Sequence, residues 1–165
     1  MEVVKTRNTG WGAVAAQDIE KGEFLCVYVG EVVPEQLYKE RCDTIYKNMT
    51  GWYRFDLPPP PAGSARVGGA GAAAPPVLVV DSTTVRNVGA FFNHRCSQSN
   101  LEVKQVVANY TYPPSLGFYA KETIKKGDDL VFHYGDKPAN CCCRECNEVA
   151  FRRTNPQSKW DALSA

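Results

Sequence analysis

The chain lacks any run of about eighteen consecutive apolar residues, the length a membrane-spanning helix needs. Its first residues, MEVVKTRNTGWG, lack the charged-then-apolar order of a secretory signal, so a soluble, intracellular protein with no membrane partner is expected. An excess of either charge is lacking too, with 19 Lys and Arg against 18 Asp and Glu and a formal net charge of +1. Net charge therefore gives no reason to expect nucleic acid or an anionic membrane as the main partner, and any basic recognition must be local. Histidine is scarce, at two residues, and no internal repeat is evident. A chain of 165 residues of this kind suits one domain with a real core and one principal site.

Cysteine, by contrast, is plentiful at seven residues. Cys141, Cys142, Cys143 and Cys146 crowd into one short stretch, where the Cα separation that a disulfide prefers is hard to meet. Clustered thiolates around a soft metal suit such spacing, and in a reducing compartment zinc is the expected occupant. Cys26, in FLCVYV, and Cys42, in a helical pattern, read as small core residues.

Short apolar runs punctuated by glycine fill the first thirty positions and read as strands, with turns at Asn8-Thr9-Gly10 and Glu20-Lys21-Gly22. Pro34 then opens PEQLYKERCDTIYKNM, in which Tyr38, Cys42, Ile45 and Met49 recur at helical spacing. A strand, WYRFDL, runs into residues 58–76, where 16 of 19 residues are proline, glycine or alanine. That composition cannot offset its ordering entropy by burial, so a flexible surface insertion is expected. VLVVDSTTV, LEVKQVV, LGFYA and DLVFHYG read as further strands, with a turn over Lys121 to Gly127. The expected fold class is mainly β with one helical excursion (α+β).

The stretch FFNHRCSQSN sets an amide, an imidazole and a thiol side by side. Cys96 and His94 are the parts of a nucleophile and its base, yet on a strand they share a face with no third group to orient the ring. A buried pair satisfied by backbone, a metal site and a polar cradle are the alternatives, and these residues alone leave them open.

Four more stretches accompany it in order: NTGWGAVAAQDIEKGEF, YVGE, the DSTTVRNVGA that leads into FFNHRC, and GDDLVFHYGD, closed by CCCREC. Together, over residues 3 to 146, they resemble the SET domain of protein lysine methyltransferases with its post-SET zinc motif. The form NHRC and the CCC start are most similar to plant-type members of the suppressor-of-variegation class, which act on the histone H3 tail. The resemblance implies small curved sheets with a knot-like C-terminal threading. It divides the chain into a SET domain (1–135, with the insertion at 58–76), a post-SET zinc segment (136–150) and a polar tail (151–165). It implies transfer of methyl groups from S-adenosylmethionine to a histone-tail lysine, lysine nine of H3 by preference, in chromatin of the nucleus and without sequence-specific binding of nucleic acid.

Residue by residue, Thr9, Gly10, Trp11 and Gly12 match the family's first cofactor-binding turn, and Asn93 and His94 its second. Tyr134 matches the tyrosine that closes the methyl-transfer channel and Tyr53 the second channel tyrosine, while Tyr28, a strand tyrosine, reads as core-facing or half-exposed rather than catalytic. Phe132, two before Tyr134, matches the position that sets product; lacking a hydroxyl to pin a water, it implies di- or trimethylation. Cys96 matches the fourth zinc ligand beside Cys141, Cys143 and Cys146.

The chain also departs from the pattern. Ala90 replaces an arginine, Arg95 a serine and His133 an aspartate, and Thr84 stands where an aromatic often covers the cofactor. The cysteine run is C-x-C-x2-C rather than C-x-C-x4-C, and the cysteine-rich pre-SET module is missing. These departures keep two other functions in view: a methyltransferase for another histone or non-histone lysine, and a SET-like, zinc-stabilised module that binds peptide or chromatin without turnover.

Overall fold

The computed structural model describes residues 1–6, 9–49, 53–59, 76–106 and 113–135, with Cys141, Cys143 and Cys146. Most of the 58–76 insertion, most of 136–150 and all of 151–165 lie outside the described residues. In chain order the elements are β1 (Glu2–Lys5), β2 (Trp11–Val14), β3 (Phe24–Val27), β4 (Glu31–Pro34), α1 (Glu35–Asp43), β5 (Arg54–Asp56), β6 (Leu78–Asp81), a 3-10 turn (Val88–Phe91), β7 (Asn93–His94), β8 (Leu101–Val106), β9 (Ser115–Ala120) and β10 (Val131–Phe132). Many short strands and one α-helix among the described residues match the expected class. No helix among them is long and apolar enough to cross a membrane.

Contacts divide the chain into two compact units where the sequence suggested one domain. The first comprises Met1–Glu23, Phe91–Glu102 and Tyr119–Ala165; the second comprises Phe24–Ala90 and Val103–Phe118. In the first unit, β1 and β2 form an antiparallel pair, with Glu2 opposite Val14 and Lys5 opposite Trp11. Beyond β2 the chain pairs with a later segment, since the Ala15 amide donates to the Asp128 carbonyl at 3.0 Å and the Leu130 amide to the Ala13 carbonyl at 2.8 Å. β7 and β10 run parallel, Asn93 beside Val131 and His94 beside Phe132. Parallel neighbours need a long crossover, and here it is the chain from Arg95 to Leu130. Buried Asn100 pins the crossing: its amide donates to the Asp129 carbonyl at 2.8 Å and its Oδ1 accepts from the Val131 amide at 3.0 Å. Phe92, Leu101, Ile124 and Leu130 fill the core around it.

In the second unit β4, β6 and β5 form an antiparallel sheet, with β6 central. Helix α1 lies over it, and Val33, Tyr38, Tyr46 and Val79 make a core to which Cys42 adds its side chain. The helix ends at Asp43, six residues short of Met49, which corrects the longer helical reading. Thr44 caps it instead, with its hydroxyl on the Glu40 carbonyl at 2.6 Å, and the Tyr46 amide turns back to the Arg41 carbonyl at 2.8 Å. The turn buries Tyr46 and leaves Ile45 68% and Met49 47% exposed, so the apolar period beyond Cys42 was coincidental. Arg41 sits beneath with two arms: Glu31 accepts from both guanidinium nitrogens at 2.8 and 3.0 Å, and Asp81 accepts at 2.9 Å. Asp81 also accepts from the Tyr46 hydroxyl at 2.9 Å and the Thr83 amide at 3.0 Å, and is itself wholly buried.

Candidate active site and metal centre

In the first unit the turn before β2 closes on itself: the Thr6 amide donates to the Gly10 carbonyl at 2.7 Å, and the Thr9 amide to the Thr6 hydroxyl at 3.0 Å. Gly10 has φ +76°, a backbone state that side chains disfavour. Gly12 is needed for space, because a Cβ there meets the Asn93 amide nitrogen and the Thr6 methyl, each at 2.7 Å. The Asn93 Nδ2 donates to the Trp11 carbonyl at 3.1 Å, so the turn and β7 are tied by a direct bond. Trp11 is 56% exposed and so is not a core residue. The fold thus brings Thr9, Gly10, Trp11, Gly12 and Asn93 together as one polar-edged turn with an apolar wall.

His94 is buried between two partners. Its Nδ1 accepts from the Tyr134 amide at 3.2 Å, and its Nε2 lies 3.2 Å from the Cys96 sulfur. With Nδ1 acting as acceptor, the neutral ring carries its proton on Nε2 and donates to sulfur. Tyr134 itself is 49% exposed, with its hydroxyl donating to the Phe92 carbonyl at 2.9 Å. Buried Phe132 stacks against it, ring centres 4.6 Å apart. The parallel β7–β10 pair is what sets these side chains together.

Cys96, Cys141, Cys143 and Cys146 converge, all four sulfurs lying within 4.8 Å of one another. Cys96 is 3.7 Å from Cys141 and 3.6 Å from Cys146. A tetrahedral Zn–S bond of about 2.3 Å sets sulfurs about 3.8 Å apart, so the set fits zinc despite the short C-x-C-x2-C run. Cys142 lies outside the described residues. Burial opposes ionisation of Cys143, but hydrogen bonds from the Cys146 and Cys96 amides and the neighbouring thiols bring it down to about 7. Burial and the hydrogen bonds with its three neighbours push Cys96 up to about 12. A metal at the cluster would displace the thiol protons, as at other thiolate sites.

The second unit holds the other candidates. Tyr53 carries the Arg86 guanidinium over its ring at 4.4 Å, and Arg86 is anchored in turn on the Thr83 carbonyl. Nothing in the sequence signals this cation–π pair, since the two residues belong to different motifs. Tyr28 is buried against Phe55 and Phe118, ring centres 5.4 and 6.1 Å away, as its core reading requires. Of the departures from the family pattern, Arg95 pairs with Asp129 at 3.4 Å, and His133 accepts from the Gly135 amide at 3.1 Å with its ring centre 5.1 Å from that of His94. Ala90 is buried and Thr84 exposed.

Comparison with known proteins bears on the same residues. Histone-lysine N-methyltransferase SUVR5 of Arabidopsis thaliana is 30% identical over 139 residues, covering 84% of this chain and 10% of that protein. A histone-lysine N-methyltransferase of Chaetomium globosum named as H3 lysine-36 specific is 29% identical over 156 residues, covering 92% of this chain and 15% of that protein. Histone-lysine N-methyltransferase ASHH3 of Arabidopsis thaliana is 27% identical over 169 residues, covering 98% of this chain and 41% of that protein. The chain thus spans from 10% to 41% of the length of these relatives. The family model described as "SET domain" matches residues 10–135, from the glycine turn to the end of the Tyr134 motif, and the chain belongs to the SET-domain family.

Proposed function

We propose that this chain transfers methyl groups from S-adenosylmethionine to a lysine side chain of the histone H3 tail. The observation that carries the reading is the β7–β10 pair, which sets Asn93 and His94 beside Phe132 and Tyr134 and next to the Thr9–Gly12 turn. When bound, S-adenosylmethionine supplies the methyl group for an in-line displacement by the lysine nitrogen. The Thr9–Gly12 turn offers open backbone for a polar ligand, and Trp11 an apolar wall. Tyr134 presents a hydroxyl that donates to the Phe92 carbonyl, and its oxygen is assigned as the acceptor that orients the amine. An amine with an ordinary pKa of about 10.4 must lose a proton first, and desolvation in a confined site lowers that value. No carboxylate base is then required. Tyr53 is assigned as second channel tyrosine by its place in the motif.

Phe132 adds no hydroxyl beside Tyr134, which supports di- or trimethylation. The likeness to suppressor-of-variegation proteins supports lysine nine of H3 and work on chromatin in the nucleus. The name of the Chaetomium relative, H3 lysine-36 specific, supports lysine thirty-six as the second reading. The zinc-loaded chain, incubated with S-adenosylmethionine and H3 peptides carrying one or other lysine, is read by intact mass. Gain of two or three methyl groups on the lysine-nine peptide is expected. Gain on the lysine-thirty-six peptide alone moves the assignment there, and peptide binding with no gain on either identifies a binding module without turnover.

A further inference from the structure

The imidazole of His94 has one nitrogen on each of two sites. Nδ1 accepts from the backbone amide of Tyr134, and Nε2–H faces the sulfur of Cys96 at the same 3.2 Å. We propose that His94 is a positioning residue through which occupancy of the four-cysteine cluster fixes Tyr134. The inference deepens the methyltransferase reading and rests on it only for its catalytic consequence.

The coupling runs through the hydrogen bonds. A neutral thiol is a poor acceptor, whereas a metal-bound thiolate is a strong one, so a metal at the cluster tightens the Nε2–H to sulfur contact. A ring held at Nε2 has a defined plane, and its Nδ1 lone pair then has a defined direction. That lone pair is the acceptor for the Tyr134 amide, at the exit from β10. The tyrosine ring lies 5.1 Å from the imidazole, and its hydroxyl is anchored separately on the Phe92 carbonyl. Outer-shell donors of this kind also hold metal ligands in place, and their loss lowers metal affinity about 10–100-fold. The coupling therefore works in both directions: the cluster orders the tyrosine, and the ring supports the cluster.

Two substitutions separate the two nitrogens. In His94→Asn the amide oxygen replaces Nδ1 and the donor to sulfur is lost. In His94→Gln the amide nitrogen replaces Nε2 and the acceptor for Tyr134 is lost. The full chain, stripped with a chelator and labelled with 15N-tyrosine, is followed by NMR as zinc is added, and zinc affinity is measured by competition with a chromogenic chelator. In the wild type the Tyr134 amide resonance is expected to move on zinc loading. His94→Asn should bind zinc about 10–100-fold more weakly. His94→Gln should retain near-wild-type zinc affinity while its Tyr134 amide no longer responds.

A wild-type Tyr134 amide unmoved by zinc overturns the proposal, as does a wild type that binds no zinc; both arms hold even if a variant fails to fold. Wild-type affinity in His94→Asn removes the sulfur half. A responding Tyr134 amide in His94→Gln removes the tyrosine half. None of these readouts needs turnover, so a wild type that shows the coupling yet methylates no peptide sinks the enzyme reading and leaves the coupling standing.

Discussion

Tyr134 combines high exposure with a fixed hydroxyl, an arrangement suited to meeting a substrate and of little use to a core. Tyr134→Phe is expected to keep the fold, since one part-buried hydrogen bond contributes only about 0.5–1.5 kcal/mol, and to lower kcat by roughly 10²-fold or more. Circular dichroism and cofactor-binding calorimetry check the first part, and single-turnover methylation the second; wild-type rates would take Tyr134 out of the mechanism. Phe132→Tyr places a hydroxyl beside Tyr134 in a buried position and should shift products towards monomethyl-lysine, read by mass spectrometry at long times with excess cofactor. A wild type that already stops at monomethyl-lysine contradicts the assignment. At this scale the glycines were legible, because Gly10 is required by its backbone state and Gly12 by space, whereas the bond from Asn93 to Trp11, 82 residues away, was not. The Tyr134 partner of His94 and the Tyr53 partner of Arg86 were not legible. They belong to chain segments far apart in sequence, and an imidazole or guanidinium has no preference that names its partner.

Helix α1 and the sheet under it depend on one buried carboxylate. Burial alone would raise the pKa of Asp81, but hydrogen bonds from Thr83, Arg41 and Tyr46 outweigh it and hold the carboxyl below its ordinary value. The sign follows: a depressed folded pKa contributes stability in full above the unfolded value of about 3.9, and that stability is lost as pH falls through the folded value. Urea midpoints should therefore be flat above about pH 5 and fall in acid, with the Asp81→Asn variant showing a smaller acid-dependent loss. Asp81→Ala leaves the Arg41 guanidinium without its buried partner and should cost about 3–5 kcal/mol. Equal midpoints for wild type and Asp81→Ala would remove the network from any part in stability. The sequence placed Pro34 and Tyr38 at the start of this helix correctly, since proline and the first apolar period are local signals. Its end was not legible, because the turn that buries Tyr46 is held by the bond from Tyr46 to Asp81, which lies on β6.

For the molecule as a whole, the cysteines are what join the chain's late residues to its middle. Cys96→Ser removes one of four ligands, and metal analysis should fall from one zinc to none; equal zinc in both proteins, or none in a fully active wild type, would reject the closure. Chelation should likewise suppress turnover and lower the melting temperature of the wild type while leaving Cys96→Ser unchanged. Cys96 was assigned only through the family resemblance, whereas the late cysteines of that cluster were legible from residue type and crowding. The division into two units was not, because each is assembled from separated stretches whose pairing no local pattern encodes. The parallel β7–β10 pair has a consequence for synthesis. Its two strands leave the ribosome at different times, and the 40 residues between His94 and Tyr134 take about 2–8 s at ordinary elongation rates of about 5–20 residues per second. Throughout that interval the nascent chain carries its glycine turn and its Asn93–His94 edge without the strand that completes them. That edge is completed only once Tyr134 has emerged.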